Sequence, residues 1–305
     1  MINLALIGVG SWGRNYIKTI GKIKDLNLKY ICASTSKSLE KFPDNYIKLT
    51  DYKKLVNCKD INGIIIATPA TSHYEISRYF LSKGFNLLIE KPLATNYSQA
   101  EKLMKVCKGS KSIAMVGHIF LYNKAYLKFK DLASRIEGIK YLDFEGCDYG
   151  PFPKDSPVLW EWAPHDVSMC LDLLSEMPIG VSASSVANGM VFARLKFKNV
   201  QAFMKFGWLS LEKKRKITVV GEKSSVIFDD TKEKKVIFYN NKKVDEPEYL
   251  TYSLEQPLMS EIKEFINCLR NKKNPKTNIN NSASVIKVIE AMQRSINSDG
   301  KLILL

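Results

Sequence analysis

The stretch GVGSWG, residues 8–13, constrains this chain more than any other six residues. It follows the short apolar run INLALIG and opens WGRNYIKTIGKI, where Trp12, Tyr16, Ile17 and Ile20 fall at helical spacing. Gly8, Gly10 and Gly13 satisfy the pattern G-x-G-x-x-G. In such a turn the first glycine makes the bend and the second lets backbone approach a pyrophosphate. The third lets the helix pack closely on the strand. The N–H groups of the helix's first turn and its dipole attract anionic phosphate. The pattern alone is weak, and its place between strand and helix makes it a dinucleotide fingerprint. Gly8, Gly10, Ser11, Trp12 and Gly13 are accordingly expected to line a bound dinucleotide.

The next hundred residues keep the same alternation. LKYICAS, GIIIATPA, FNLLIEKPLA and SIAMVGH are strand-like, and SHYEISRYFLSKG and SQAEKLMKVCKG are helix-like between them. Strands alternating with helices of this length imply right-handed βαβ units and a parallel sheet. After about residue 120 the pattern changes to a helix-like stretch (122–135), then strand-like runs at 179–187, 190–198, 200–208, 214–220, 224–229 and 234–239. Turn signals separate several of these runs with no long helix between them, which predicts an antiparallel sheet. Helices over 257–270 and 282–297 close the chain, joined by the aperiodic polar NKKNPKTNINN. The expected architecture is an α/β Rossmann domain (1–120) with a parallel sheet, followed by an α+β domain (121–305) with an open, mainly antiparallel sheet.

Composition narrows the partners. The net charge of +15 raises the question of nucleic acid, but only seven of the 46 basic residues are Arg and lysine is spread along the chain. The densest clusters, EKKRK and TKEKK, contain acids and flank strand-like runs, as solvated hairpin faces do. No nucleic-acid partner is expected; a basic surface instead attracts small anionic substrates. No apolar run approaches the ~20 residues of a membrane span, and the N-terminus has no signal-peptide pattern. Six well-separated cysteines without a CxxC pair point to reduced thiols in a cytoplasmic protein.

The end of the second strand reads CASTSKS, where an acid would hold the ribose 2′-hydroxyl of NAD. Ser34, Thr35 and Lys37 suit either a 2′-phosphate or a plain ribose, so NAD and NADP both remain open. IEKPL (89–93) lies at the C-terminal end of a parallel strand, the edge where open α/β sheets bind ligands. Lys91, after an apolar run and before Pro92, is held extended there.

GVGSWG, ATPATSHYE and EKPLA in this order resemble the glucose-fructose oxidoreductase / inositol dehydrogenase / MocA family of NAD(P)-dependent enzymes. The resemblance covers essentially the whole chain, including TVVGEKSSVIFDD in the sheet-rich half. It implies that Lys91 reaches the nicotinamide ribose and the substrate hydroxyl, with Thr68, Pro69, His73 and Glu90 lining the cofactor. It also implies a histidine of the second domain, with an acid four residues before it. LWEWAPHDVSM supplies His165 and, in place of the usual Asp, Glu161.

Three readings of His165 compete: core residue, metal ligand and proton carrier. Too few ligands stand nearby for zinc, so no metal is expected. An apolar helical face runs from Val167 through Leu171 and Leu174, which puts His165 at a helix start. Oxidising a secondary alcohol needs a base for the hydroxyl proton as hydride leaves the carbon. Neutral imidazole suits that near pH 7, and an ammonium stabilises the developing alkoxide. His165 is taken as base, Lys91 as its electrostatic partner and Glu161 as an orienting group; the reverse assignment stays open. Trp160 and Trp162 form either core or a sugar-stacking wall. His118, Tyr122 and Asn123 are candidate substrate contacts, with packing or capping as the alternative.

The resemblance points to a sugar substrate, with the 3-hydroxyl of a UDP-N-acetylhexosamine as the leading expectation. A free sugar or inositol is the alternative, and a non-catalytic nucleotide-binding regulator is the rival of another class. Family members commonly form dimers or tetramers through the sheet, and a homodimer or homotetramer is expected here.

Overall fold

The computed structural model describes residues 1–150 and 157–305. The chain forms two compact units, Met1–Ile119 with Pro257–Ile286, and Phe120–Gln256 with Lys287–Leu305.

The first unit runs β1 (Ile2–Ile7), α1 (Ser11–Ile20), β2 (Leu26–Cys32), α2 (Ser36–Glu40), β3 (Ile47–Leu49), β4 (Gly63–Ile66), α3 (Ala70–Leu81), β5 (Leu87–Glu90), α4 (Tyr97–Ser110) and β6 (Ala114–Gly117). Its six strands are ordered β3-β2-β1-β4-β5-β6 and every pairing is parallel. The order reverses between β1 and β4, and ligands of doubly wound sheets bind beyond the strand ends at such a switch. GIII, LLIE and AMVG are buried throughout, as strands covered on both faces must be. Ile64, Ile65 and Ile66 are each 0% exposed, and such burial contributes roughly 1.5–3 kcal/mol per side chain.

The second unit runs α5 (Lys124–Ala133), β7 (Tyr141–Tyr149), α6 (Val158–Leu174), β8 (Gly180–Val186), β9 (Met190–Lys196), β10 (Gln201–Gly207), β11 (Leu209–Val220), β12 (Ser224–Asp229), β13 (Val236–Asn240) and β14 (Glu248–Tyr249). Two further helices, α7 (Pro257–Asn271) and α8 (Ile279–Ile296), precede the short β15 (Ile303–Leu304). The nine-stranded sheet has the order β14-β13-β12-β11-β7-β10-β9-β8-β15. It is antiparallel except for β7 with β10, which α6 and the β8–β9 hairpin separate in sequence. Alternation along β9 and β10 buries one face against α6 and leaves Phe192 and Phe203 exposed on the other.

The polar stretch between α7 and α8 does not hang free. Val116 N–H donates to Thr277 O at 2.8 Å, and Asn278 bridges Met115, so this segment lines the open edge of β6. α7 packs on α1, and Phe265 lies so near Gly63 that a Cβ there would stand 2.9 Å from its ring. No helix among the described residues is long and apolar enough to cross a membrane.

Candidate active site

The glycine turn has the shape that its spacing implies. Gly8 sits at φ +97°, and a Cβ there would lie 2.4 Å from Ala67 O. At Gly13 a Cβ would stand 2.0 Å from Gly8 O, so α1 meets β1 only through a glycine. Gly10 differs: a Cβ would meet nothing within 4 Å. The N-cap at Gly10 has no side-chain hydrogen bond, and the first turn of α1 holds no acid. The turn is thus an open cradle of backbone donors, and it fits a dinucleotide pyrophosphate. Ser11 is exposed, as are Ser34, Thr35 and Lys37 beyond β2. Thr35 caps α2, its Oγ1 accepting from Ser38 N–H.

Glu90 ends β5 and ties the neighbouring elements together. Its Oε1 accepts from the Trp12 indole N–H of the glycine turn and, at 2.6 Å, from the Tyr16 phenol; its Oε2 accepts from Lys91 N–H. Gly117 on β6 makes room, since a Cβ there would come within 3.3 Å of the carboxyl. Burial pushes the Glu90 carboxyl up, while its three donors and the Lys91 ammonium oppose that. Tyr16 Oη also lies 3.1 Å from Glu261 Oε1 on α7.

His73 is 0% exposed and spans the two loops at this edge, Nδ1 being 2.8 Å from Pro92 O and Nε2 2.8 Å from Thr68 O. Both ring nitrogens are therefore turned to the backbone, and the imidazole braces the turn that carries Lys91. Thr68 Oγ1 accepts from Ser72 Oγ at the start of α3, and Pro69 is exposed as its N-cap. His118, just beyond β6, has Nε2 3.0 Å from Ser282 Oγ. Burial first, and the Lys91 charge second, push it down to about 4, so it is neutral at pH 7. The same charge acts on His73 and Glu90. Lys91, Glu90, His73 and His118 thus form one electrostatic cluster.

In the second unit, helix α6 begins at Val158, seven residues before His165. Pro164, which should end a helix by lacking an N–H, instead lies inside it. The sequence expectation of a helix start at His165 is corrected accordingly. Glu161 and His165 consequently stand one turn apart on one face, and Trp162 and Asp166 on the adjoining one. Phe120 meets the His165 ring edge-on at 5.0 Å. The Arg215 guanidinium lies over both Phe120 (5.1 Å) and Trp162 (4.6 Å). Asp166 is buried against Gly146, where a Cβ would stand 2.7 Å from its Oδ2. Burial pushes Asp166 up to about 7, against the pull of Arg215. Trp162 therefore offers its face to a cation, while Trp160 is half-buried.

Asn123 caps α5, accepting from Ala125 N–H at 2.9 Å and donating to Asp230 at 3.2 Å; Tyr122 beside it is 6% exposed. The residues that the motifs did not single out are Tyr16, Glu261, Phe120 and Arg215. Tyr16 lay in the helical pattern after the glycine turn, Phe120 between His118 and Tyr122, and Arg215 in the EKKRK cluster, while Glu261 comes from a helix that no motif marked. Among the described residues no group of three or more His, Cys, Asp or Glu could hold a metal ion.

Two profiles of one oxidoreductase family cover the chain, its NAD-binding Rossmann fold over residues 2–118 and its C-terminal alpha/beta domain over residues 153–304. The chain belongs to the GFO/IDH/MocA family. Similar members include the inositol 2-dehydrogenase of Salmonella typhimurium strain LT2, 21% identical over 185 residues, or 57% of this chain and 55% of that one. The UDP-N-acetylglucosamine 3-dehydrogenase of Acidithiobacillus ferrooxidans is 24% identical over 195 residues, covering 60% and 57%. The chain thus spans somewhat over half the length of the curated relatives it matches. A crystal structure of a protein from Magnetospirillum magnetotacticum MS-1, assigned as an oxidoreductase, superposes with a TM-score of 0.88 at 30% identity over 95% of this chain and 99% of that one.

Proposed function

We propose that this GFO/IDH/MocA member is an NAD(P)-dependent dehydrogenase that oxidises a secondary hydroxyl of a sugar, the 3-hydroxyl of a UDP-N-acetylhexosamine. The observation that carries the reading is the hydrogen bond from Trp12 of the glycine turn to Glu90, next to Lys91. It joins the phosphate cradle and the lysine at one sheet edge. When bound, the nicotinamide supplies the hydride acceptor. The chain's own groups then have the proton to move. His165 takes the proton of the substrate hydroxyl as its C–H bond breaks and the carbonyl forms. Lys91 stabilises the charge gathering on that oxygen. Glu161, one turn before His165, orients it. His118, neutral and in range of Lys91, accepts or donates a hydrogen bond without adding charge. Ser34, Thr35 and Lys37 are open to solvent and suit the adenosine ribose of either cofactor.

The test is incubation with NAD or NADP and a panel of UDP-N-acetylhexosamines, free hexoses and inositols, following reduced-nicotinamide absorbance. Turnover with a UDP-sugar is expected. Turnover with inositol or hexose alone would replace the substrate, and cofactor binding without any turnover would favour a regulator. Lys91→Ala and His165→Ala should each lower kcat by roughly 10²–10⁴-fold with circular dichroism unchanged. Activity in the doubly substituted protein would remove both from the mechanism.

The partner that suits the exposed face of the second unit's sheet is another copy of the chain. Phe192, Phe203 and Tyr141 are 40–44% exposed on it. Sedimentation should give a dimer or tetramer, and a monomer at micromolar concentration would refute this.

A further inference from the structure

Tyr16 has one phenolic proton and two carboxyl neighbours, Glu90 Oε1 at 2.6 Å and Glu261 Oε1 at 3.1 Å. Tyr16 and Glu261 are 0% exposed and Glu90 is 8% exposed. One proton serves only one of these contacts, so the other needs a proton from a carboxyl, with the phenol oxygen accepting. Glu90 faces the Trp12 N–H, the Tyr16 O–H and the Lys91 N–H, and an ionised carboxylate accepts from all three. Glu261 has no such company. Its Oε1 meets a phenol oxygen whose proton is given to Glu90, and its Oε2 has no hydrogen-bond partner among the described residues. A charged Glu261 would be a buried anion close to a second one, whereas the neutral acid donates to Tyr16 and leaves one carbonyl oxygen bare.

We propose that Glu261 is a positioning residue: a neutral carboxylic acid on α7 that donates to Tyr16, turns the phenolic proton onto Glu90, and so fixes the glycine turn against the turn bearing Lys91. Burial and the Glu90 charge act in the same sense, raising Glu261 well above the usual carboxylate range. Among the described residues, the titratable groups that act on Glu261 are Tyr16 on α1 and Glu90 on β5. The inference rests on the dehydrogenase reading for the task of Lys91, but not for the location of the proton.

The experiment compares the full-length protein with Glu261→Gln, which keeps a neutral donor, and Glu261→Leu, which keeps the volume without one. Infrared difference spectra at pH 7 should show a protonated-carboxyl band in the wild type that is lost in E261Q. The Trp12 indole N–H resonance, assigned with Trp12→Phe, should hold its place in E261Q and move in E261L. NADH or NADPH should bind E261Q within about twofold of wild type and E261L about tenfold more weakly, the size of one buried hydrogen bond. If E261L does not fold, Glu261→Met replaces it with the same expectation. No band assignable to Glu261, or E261Q as impaired as E261L, would overturn the proposal. If the protein oxidises no sugar while the band and the indole shift behave as stated, the functional reading fails and Glu261 keeps its role.

Discussion

Asp166 sits in an environment far from that of a surface carboxylate, 3% exposed in the second unit. It is buried on α6 against Gly146, and its Oδ2 lacks a hydrogen-bond partner among the described residues. Its folded pKa of about 7 stands above the ~3.9 of an unfolded chain. Between those values the folded state binds the extra proton. The associated stability is full below ~3.9 and is lost as pH rises through about 7. Asp166→Asn should therefore raise Tm at pH 8 and leave it little changed near pH 4. Parallel Tm–pH curves for the two proteins would refute this. Of the residues around His165, Glu161 and Trp162 were legible as neighbours in sequence. Arg215 was not, because it is 50 residues away and reaches the site only through the pairing of β11 with β7.

The glycine turn shows how one element divides its labour. Gly8 and Gly13 hold backbone against backbone, whereas Gly10 faces open space. Gly13→Ala should cost several kcal/mol, on the order of the strain and overpacking range, and lower Tm steeply. Gly10→Ala, at φ −65°, should leave Tm nearly unchanged and weaken NAD(P)H binding instead. Equal Tm losses in the two variants would show that the turn is not partitioned in this way. Motif spacing made the turn legible because its constraints are local. The start of helix α6 is not legible in the sequence for the converse reason. Pro164 is a local helix breaker, and burial of Val158, Leu159 and Ala163 favours the helix across it.

Across the whole molecule, the +15 charge acts at longer range than any single site. It should speed capture of a diphosphate substrate and do nothing for a neutral one. Raising salt from ~0.05 to ~0.5 M shortens the Debye length several-fold. It should lower kcat/KM for a UDP-sugar and leave that for inositol flat. A salt-independent kcat/KM for the UDP-sugar would count against electrostatic capture. At this scale the chain also doubles back, since residues 257–286 belong to the first unit although 137 residues of the second intervene. Nothing periodic in α7 announces its destination.

The alternation of strands and helices in the first unit, the dinucleotide turn, the Lys91 turn and the family were readable from the sequence, whereas β7 inside the second sheet and the start of α6 were not. Each readable feature is carried by neighbours within a few residues, where spacing and backbone sterics act directly. Only the tertiary structure brought Glu261 to Tyr16, Thr277 to the edge of β6, and Arg215 onto Trp162. Those pairings depend on which surfaces bury together, and burial is a property of the assembled chain. The proton that Glu261 is proposed to hold belongs to the same class. A glutamate in a helix is ordinarily an anion; two carboxyls around one phenol, out of water, leave room for one charge.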